Sequence, residues 1–155
     1  TQQDSIKNFS KKIKKIKDTR KSEDFLIVAR IESFILGKGL DDALKRAYAY
    51  SKAGADAILI HSKENTPSQI FSFSKIFRKS KYYKPMIAVP SSYSKTYEKD
   101  LLKNGFSIVI YANHLLRASY KIMEKTALDI LRFNRSYETE KNIVSVKDIL
   151  AIKPK

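Results

Sequence analysis

Phe25-Leu-Ile-Val-Ala-Arg-Ile-Glu-Ser33 is the stretch that decides the fold, an apolar run that ends in two opposite charges. A strand that is buried on both faces of a sheet has such a continuous apolar sequence. Folds built from parallel strands place their chemistry at the carboxyl ends of those strands. The stretch therefore predicts a buried strand over Phe25–Arg30, with Arg30 and Glu32 as functional side chains at its end.

The same pattern, an apolar run followed by polar residues, recurs three times downstream. The three runs are Ala57-Ile-Leu-Ile60 before His61-Ser62, Met86-Ile-Ala-Val89 before Pro90-Ser91-Ser92, and Ser107-Ile-Val-Ile110 before Tyr111-Ala112-Asn113-His114. Helical segments separate the runs, and regular strand–helix alternation predicts an α/β fold with a parallel sheet and right-handed crossovers. Four such units are half of an eight-unit (β/α) barrel, with a small open sheet as the alternative.

Capping signals mark several of these helices. Asp41 and Asp42 suit a helix amino terminus, and Gly54 suits the end of the same helix. Thr66-Pro67-Ser68-Gln69 has the pattern of an N-cap, a first-turn proline and a capping-box glutamine. Further helices are predicted over Thr96–Asn104, Asn113–Phe133 and Ser145–Ile152.

Composition limits the classes of function. The chain has 155 residues, no cysteine and a formal net charge of +15. Disulfides and thiolate chemistry are therefore excluded. The basic residues are spread over the whole chain, so we expect a solvated surface and not a nucleic-acid interface. Because no apolar run is long enough for a membrane span and no signal peptide precedes the fold, we expect a cytoplasmic protein. The absence of an initiator methionine suggests that the sequence is incomplete at its amino terminus.

Several motifs together resemble the phosphoenolpyruvate mutase group of the isocitrate lyase superfamily. They are Val28-Ala-Arg-Ile-Glu-Ser33 with Gly39-Leu-Asp-Asp-Ala-Leu-Lys-Arg-Ala47, Gly54-Ala-Asp-Ala-Ile-Leu-Ile-His-Ser-Lys63, Val89-Pro90 with Tyr93, Ile110-Tyr-Ala-Asn-His-Leu-Leu-Arg-Ala118 and Val144-Ser-Val-Lys-Asp-Ile149. The resemblance covers about Ser5 to Leu150 and corresponds to the carboxyl-terminal half of a (β/α)8 TIM barrel. Ser91 departs from the family, which commonly has threonine after Val-Pro.

The resemblance implies an isomerase that interconverts phosphoenolpyruvate and phosphonopyruvate and so forms the carbon–phosphorus bond of phosphonates. It implies Mg²⁺ as cofactor, with the metal ligands and the catalytic aspartate in the other half of the barrel. We therefore expect no metal ligand in this chain and no activity from it alone. We also expect a partial barrel over residues 1–133, followed over 134–155 by a linker and a helix that packs on another subunit of a homo-oligomer.

Two residues are the candidate catalytic groups. Arg30 offers a bidentate cation on a rigid strand end, which suits a phosphoryl group joined to a carboxylate-bearing enolate. The alternative is a structural ion pair with Glu32. His61 follows a buried strand and can donate a hydrogen bond to a phosphoryl or enolate oxygen. A structural histidine is the alternative, and the Ile-His-Ser context of the family favours the catalytic role.

Three residues are expected to bind substrate or support the site. Glu32 could orient Arg30 or reach the water shell of a metal, and orientation is the favoured role. Ser62 could donate a hydrogen bond or simply lie at the surface. Asn113 could contact phosphate or cap the helix that follows it, because helix amino termini also bind anions.

Two further functions remain open. A phosphonopyruvate hydrolase of the same superfamily would break the same bond with water, although Ala112 before Asn113 favours the mutase. A non-catalytic basic module, or a half barrel that acts by pairing with another chain, is the other alternative. A half barrel also has two open sheet edges and an uncovered apolar face, which predict marginal stability or self-association.

Overall fold

The computed structural model describes residues 2–153. Its elements are α1 (Ile6–Thr19), β1 (Val28–Ile31), α2 (Gly39–Ala53), β2 (Ala57–Ile60), α3 (Ser68–Phe77), β3 (Met86–Ala88), α4 (Glu98–Lys103), β4 (Phe106–Val109), α5 (His114–Phe133), a 3₁₀ turn (Glu140–Asn142) and α6 (Val146–Ala151). The chain divides between Ala112 and Asn113 into two compact units. This division falls one helix earlier than the boundary expected from sequence, between residues 133 and 134.

The first unit contains one four-stranded sheet in the order β1-β2-β3-β4, and every neighbouring pair is parallel. Each strand therefore pairs with the next one in the chain, and a helix connects every pair. Opposite one another on β1 and β2 lie Arg30 and Leu59, and then Ile31 and Ile60. The predicted parallel α/β architecture is confirmed.

One face of the sheet packs against helices. Alternate strand residues such as Ile31 and Ile60 are fully buried in the main core, together with Tyr50 of α2 and with Phe73 and Phe77 of α3. Aromatic rings are prominent there, and the ring centroids of Phe73 and Phe77 stack 5.3 Å apart. Burial of large apolar side chains on this face is the main source of stability for the unit.

The opposite face of the sheet, here called the inner face, is only partly covered. Ala57, Leu59, Ile87 and Val89 form a second buried cluster, which contains three strand residues and the residue that directly follows β3. Val28 of β1, Ile108 of β4 and Ile110, the residue after β4, lie on either side of this cluster, and between 38% and 45% of each is exposed. A small strip of apolar side chains thus faces solvent where the interior of a closed barrel would lie.

Several predicted strand boundaries are wrong by one to three residues. The first strand begins at Val28 and not at Phe25, because Phe25 and Leu26 are 60% and 62% exposed. The chain enters the sheet at Ile27, whose backbone N–H donates to Asp56 Oδ2 at 2.9 Å. The fourth strand begins at Phe106, one residue before the predicted start.

The helix ends agree with the sequence at some positions and differ at others. Gly54 ends α2 with a φ of +110°, as predicted, and Asp41 and Asp42 lie in the first turn of that helix. The predicted capping box at Thr66–Gln69 is wrong. Pro67 precedes α3 without a side-chain cap, and the Gln69 side chain accepts a hydrogen bond from Ser62. Local spacing alone predicts a cap there, and a contact with another element replaces it.

The second unit consists of α5, the 3₁₀ turn and α6. No residue of α5 is buried, and several of its large apolar side chains are mostly exposed, among them Leu115, Leu116 and Leu131. Ser145 caps α6 by accepting a hydrogen bond from the Asp148 N–H at 3.1 Å, as predicted. Among residues 2–153, no helix combines the length and the apolar character that a membrane crossing requires.

Candidate active site at the ends of β1 and β2

Three of the predicted site residues meet at the carboxyl ends of two neighbouring strands. Ile31 of β1 lies opposite Ile60 of β2, so the next residues, Glu32 and His61, leave the sheet at the same level. Side chains alternate between the two faces of a strand. Arg30 therefore shares the inner face with Glu32 and His61, away from the helices. Adjacent strands lie about 4.8 Å apart, which brings these groups into one cluster.

Arg30 forms an ion pair with Glu32 and retains donors that the protein does not use. Its Nε donates a hydrogen bond to Glu32 Oε1, while 53% of the Arg30 side chain and 28% of the Glu32 side chain are exposed. Within residues 2–153, the two terminal nitrogens of Arg30 donate no hydrogen bond. The ion pair expected as the structural alternative is thus present, and it still leaves the outer edge of the guanidinium available for an anion.

His61 is partly buried and is held neutral. Burial lowers its pKa below the ordinary value of 6.5, the Arg30 charge lowers it further, and the Glu32 carboxylate acts in the opposite direction. Its Nδ1 is buried, and no group in the described part of the chain bonds to it. A neutral imidazole carries one N–H donor and one acceptor. His61 can therefore donate to an oxygen that gains negative charge during a reaction.

Ser62 lies on the helix side of the sheet and is not exposed to a ligand. It is completely buried, and its hydroxyl donates to Gln69 Oε1 of α3 at 2.7 Å. The same hydroxyl accepts from the Glu64 N–H at 3.1 Å. The hydroxyl is fully engaged, so the surface role is wrong and a supporting role is the one that fits.

A comparable arrangement follows β1, and inspection of the sequence did not identify it. Ser33 is completely buried, and its hydroxyl donates to Asp42 Oδ2 at 2.7 Å. The Arg46 Nε donates to the same carboxylate oxygen at 2.8 Å. Burial opposes ionisation of Asp42, yet these two hydrogen bonds outweigh it and lower the pKa of Asp42. The signal in the sequence was the serine that directly follows each charged or imidazole side chain.

Asn113 belongs to the second unit, as the residue before α5. Its side chain does not cap that helix, so the capping interpretation is wrong. Its backbone carbonyl accepts the Arg117 N–H at 3.0 Å and begins the helical pattern. Contact with a ligand remains a prediction for Asn113.

The side chains described here do not form a metal site by themselves. In residues 2–153, no group of three or more histidines, aspartates and glutamates is clustered closely enough to hold an ion. Glu32 is the carboxylate at the two strand ends, and it is paired with Arg30. Mg²⁺ binding by the whole protein remains an expectation that involves other residues.

Comparison with known proteins places this site in a family. The model of the phosphoenolpyruvate phosphomutase family matches residues 1–131. The chain belongs to this family. Among similar proteins, the phosphoenolpyruvate phosphomutase of Tetrahymena pyriformis is 42% identical over 147 residues, which are 95% of this chain and 48% of that protein. The phosphonopyruvate hydrolase of Variovorax sp. (strain Pal2) is 36% identical over 148 residues, or 95% and 50% of the two chains.

Solved structures agree with the fold. The crystal structure of the phosphoenolpyruvate phosphomutase from Streptomyces platensis subsp. rosaceus superposes with a TM-score of 0.87 and 34% identity, over 95% of this chain and 50% of that chain. The chain thus spans about half the length of the relatives that it matches. Its four strand–helix units are half of the TIM-barrel fold of the superfamily, and the fold class predicted from sequence is confirmed.

Proposed function

We propose that this chain forms part of the active site of a phosphoenolpyruvate mutase, with Arg30 and His61 as its catalytic residues. One observation carries the proposal: an arginine with unused terminal donors lies beside a neutral histidine at the ends of adjacent strands, in a chain of this family. The proposed reaction moves a phosphoryl group between the enol oxygen of phosphoenolpyruvate and the methylene carbon, giving phosphonopyruvate.

Each residue has a distinct task in this proposal. In the mutase direction the phosphorus–oxygen bond breaks and a phosphorus–carbon bond forms, while the negative charge of the transferring group is spread over its oxygens. Arg30 binds two of the substrate oxygens with its terminal nitrogens and keeps the anion in place. His61 donates a hydrogen bond to an oxygen of the same group. Glu32 fixes the plane of the guanidinium through Arg30 Nε.

In this proposal, other residues of the whole protein supply the nucleophile and the metal ligands. We propose Mg²⁺ as its cofactor, supported by a related solved structure, that of a phosphonopyruvate hydrolase in complex with oxalate and Mg²⁺. When bound, the ion would neutralise charge on the substrate. On its own, this chain is therefore expected to be inactive.

Phosphonopyruvate hydrolase is the second candidate. The Variovorax hydrolase covers this chain to the same extent as the Tetrahymena mutase, with 36% against 42% identity. Arg30 and His61 would bind the same substrate in either enzyme, and water would then accept the phosphoryl group. The somewhat higher identity and Ala112 favour the mutase.

For the whole protein we propose a cytoplasmic homo-oligomer in which α5 and α6 pack on a neighbouring subunit. The exposed apolar side chains of α5, such as Leu116 and Leu131, support this proposal because monomeric proteins rarely expose many large apolar side chains on one helix. Light scattering of the whole protein tests it. A monomer at micromolar concentration would contradict it.

A chimera tests the proposed activity. In this protein, called the chimera below, our chain replaces the matching half of the Tetrahymena mutase. With Mg²⁺ and phosphonopyruvate, we expect turnover by the chimera and none by residues 1–155 alone. A folded chimera without activity would contradict the proposal, as would turnover by the isolated chain above the rate in buffer.

A further inference from the structure

Two buried serines repeat the same contact at the two strand ends that form the candidate site. Ser33 directly follows Glu32, and Ser62 directly follows His61. Both serines are completely buried on the helix side of the sheet. Each donates its hydroxyl proton to a side-chain oxygen in the first turn of the next helix, at 2.7 Å in both cases. The acceptors are Asp42 of α2 and Gln69 of α3.

Each serine contact also fixes the side chain of the preceding residue, Glu32 or His61, which points to the opposite face of the sheet. Because successive side chains point to opposite faces, a serine that is fixed under the sheet holds the preceding side chain on the inner face. Backbone hydrogen bonds add to the anchor after β1, where the Leu36 N–H donates to the Glu32 carbonyl at 3.0 Å and the Lys38 N–H to the Ser33 carbonyl at 2.8 Å. After β2, the Glu64 N–H donates a hydrogen bond to the Ser62 hydroxyl.

We infer that Ser33 and Ser62 are positioning residues, which fix the Arg30–Glu32 pair and His61 by anchoring both strand ends to the following helices. The inference rests on the proposed function for its catalytic consequence, and its structural part stands without that function. The reaction rate falls steeply when a loop that carries a catalytic group shifts, since a misplacement of about 1 Å can lower the rate about 100-fold. Two equivalent anchors remove that freedom at both catalytic positions.

The Arg46 network extends the first anchor into the core. Arg46 is 4% exposed, and besides Asp42 it donates to the Asp4 carbonyl and to the Tyr50 hydroxyl, both at 2.9 Å. The Asp42 carboxylate, which accepts the Ser33 hydrogen bond, is therefore itself held in place by a buried guanidinium. The second anchor lacks such a charge, because Gln69 is neutral. Without the serine hydroxyl the β1 end keeps its backbone hydrogen bonds from Leu36 and Lys38, whereas the β2 end also loses the Glu64 contact, so the β2 end should be freed more.

The titration of His61 tests the second anchor without any activity measurement. His61 and His114 are the two histidines of the chain, so a His114→Gln variant assigns the imidazole signals in an NMR titration. Ser62→Ala should release His61 toward solvent and raise its pKa toward the ordinary value, because burial is the largest cause of the depression. Arg30 and Glu32 are the charged groups that act on this imidazole, and both are left in place.

Ser74→Ala is the matched control. Ser74 is also completely buried and hydrogen-bonded, but its hydroxyl donates to the Asn104 carbonyl within the helical layer. We expect the control to leave the His61 titration unchanged. Gln69→Met removes the same anchor from the helix side and should raise the His61 pKa in the same way. It takes the place of Ser62→Ala in the test if Ser62→Ala folds poorly. An unchanged His61 pKa in both anchor variants would overturn the inference, and so would an equal shift in the control.

Kinetics of the chimera then test the catalytic part. Ser62→Ala should lower kcat by about 10-fold or more with little change in KM, since a displaced His61 loses a transition-state contact. Ser33→Ala should raise KM several-fold, because Arg30 binds the substrate in its ground state. Ser74→Ala should change neither constant. If the chimera proves inactive, the proposed function fails while the His61 titration still decides whether the anchor exists.

Discussion

Arg20 Nη1 lies 2.6 Å from Asp56 Oδ2 at the amino-terminal end of the sheet, the end opposite the candidate site. Only 3% of the Arg20 side chain is exposed, and its Nη1 also donates to the Phe25 carbonyl at 3.0 Å. Its Nη2 donates to Glu23. This buried arginine uses both terminal nitrogens within the protein, whereas those of Arg30 donate to no group in residues 2–153. The contrast indicates a structural role for Arg20 and supports the proposal that Arg30 binds a ligand.

Replacing Arg20 should therefore destabilise the fold. Arg20→Met keeps the apolar stem but removes the guanidinium donor of the Phe25 carbonyl and of the Asp56 carboxylate, which keeps the Ile27 N–H. We expect a loss of about 2 kcal/mol in the free energy of unfolding, measured by urea denaturation. Arg135→Met is the control, because the Arg135–Glu138 pair lies at the surface and an ion pair in water adds little to stability. Equal losses in both variants would contradict the structural role of Arg20.

Arg30 should show the opposite behaviour. In the chimera, Arg30→Lys keeps the charge but removes the planar pair of donors, so we expect kcat/KM to fall by about 100-fold. The free energy of unfolding should change by less than about 0.5 kcal/mol, because the side chain is half exposed. Steady-state kinetics and urea denaturation of the same preparation check both statements. A large loss of stability with unchanged kinetics would show that the Arg30–Glu32 pair is structural.

His61 should make stability depend on pH. Its pKa is lowered in the folded state by burial first and by Arg30 second. As pH falls through about 6.5, the unfolded chain takes up a proton before the folded one does. The free energy of unfolding should therefore decrease, by at most about 1.4 kcal/mol per pH unit, until the folded protein is protonated too.

His61→Gln checks that assignment. The variant should lose this part of the pH dependence in urea denaturation between pH 7 and pH 5. His114→Gln, made in parallel, should retain it because His61 is intact. If the two variants behave alike, His61 is not the group responsible.

The inner face of the sheet should cause the isolated chain to associate. Ile108 is 45% exposed there beside other apolar side chains. Ile108→Asp should lower the average mass measured by light scattering, since a charge in an apolar contact is costly. Leu102→Asp is the control, a 70% exposed leucine on α4. A monomeric wild-type chain, or an equal effect of both variants, would contradict association through the inner face.

The sheet could be predicted from sequence because its strands are continuous apolar runs, each followed by a polar end. Side-chain chemistry at those ends predicts Arg30 and His61 as candidate site residues, and the structure places both of them beside Glu32. Strand boundaries were less accurate. Phe25 and Leu26 are as apolar as the strand itself, and only the pairing of Ile27 with Asp56 shows where the sheet begins.

Contacts between distant residues could not be predicted from local spacing. Gln69 fits a capping box within its own helix, yet its oxygen accepts the Ser62 hydroxyl. Asp42 fits the acidic first turn of α2, and its carboxylate also accepts hydrogen bonds from Ser33 and Arg46. Both side chains satisfy a buried donor in another element, which outweighs a local preference of about 1 kcal/mol.

The product formed from phosphonopyruvate tests the central claim most directly. ³¹P NMR of the chimera with Mg²⁺ distinguishes phosphoenolpyruvate from inorganic phosphate, and the Arg30→Lys variant is run beside it. We predict that phosphoenolpyruvate accumulates and that the variant slows its formation about 100-fold. Release of inorganic phosphate with pyruvate would assign the hydrolase reaction instead. A folded chimera that forms neither product, or one that is indifferent to Arg30, would contradict the account.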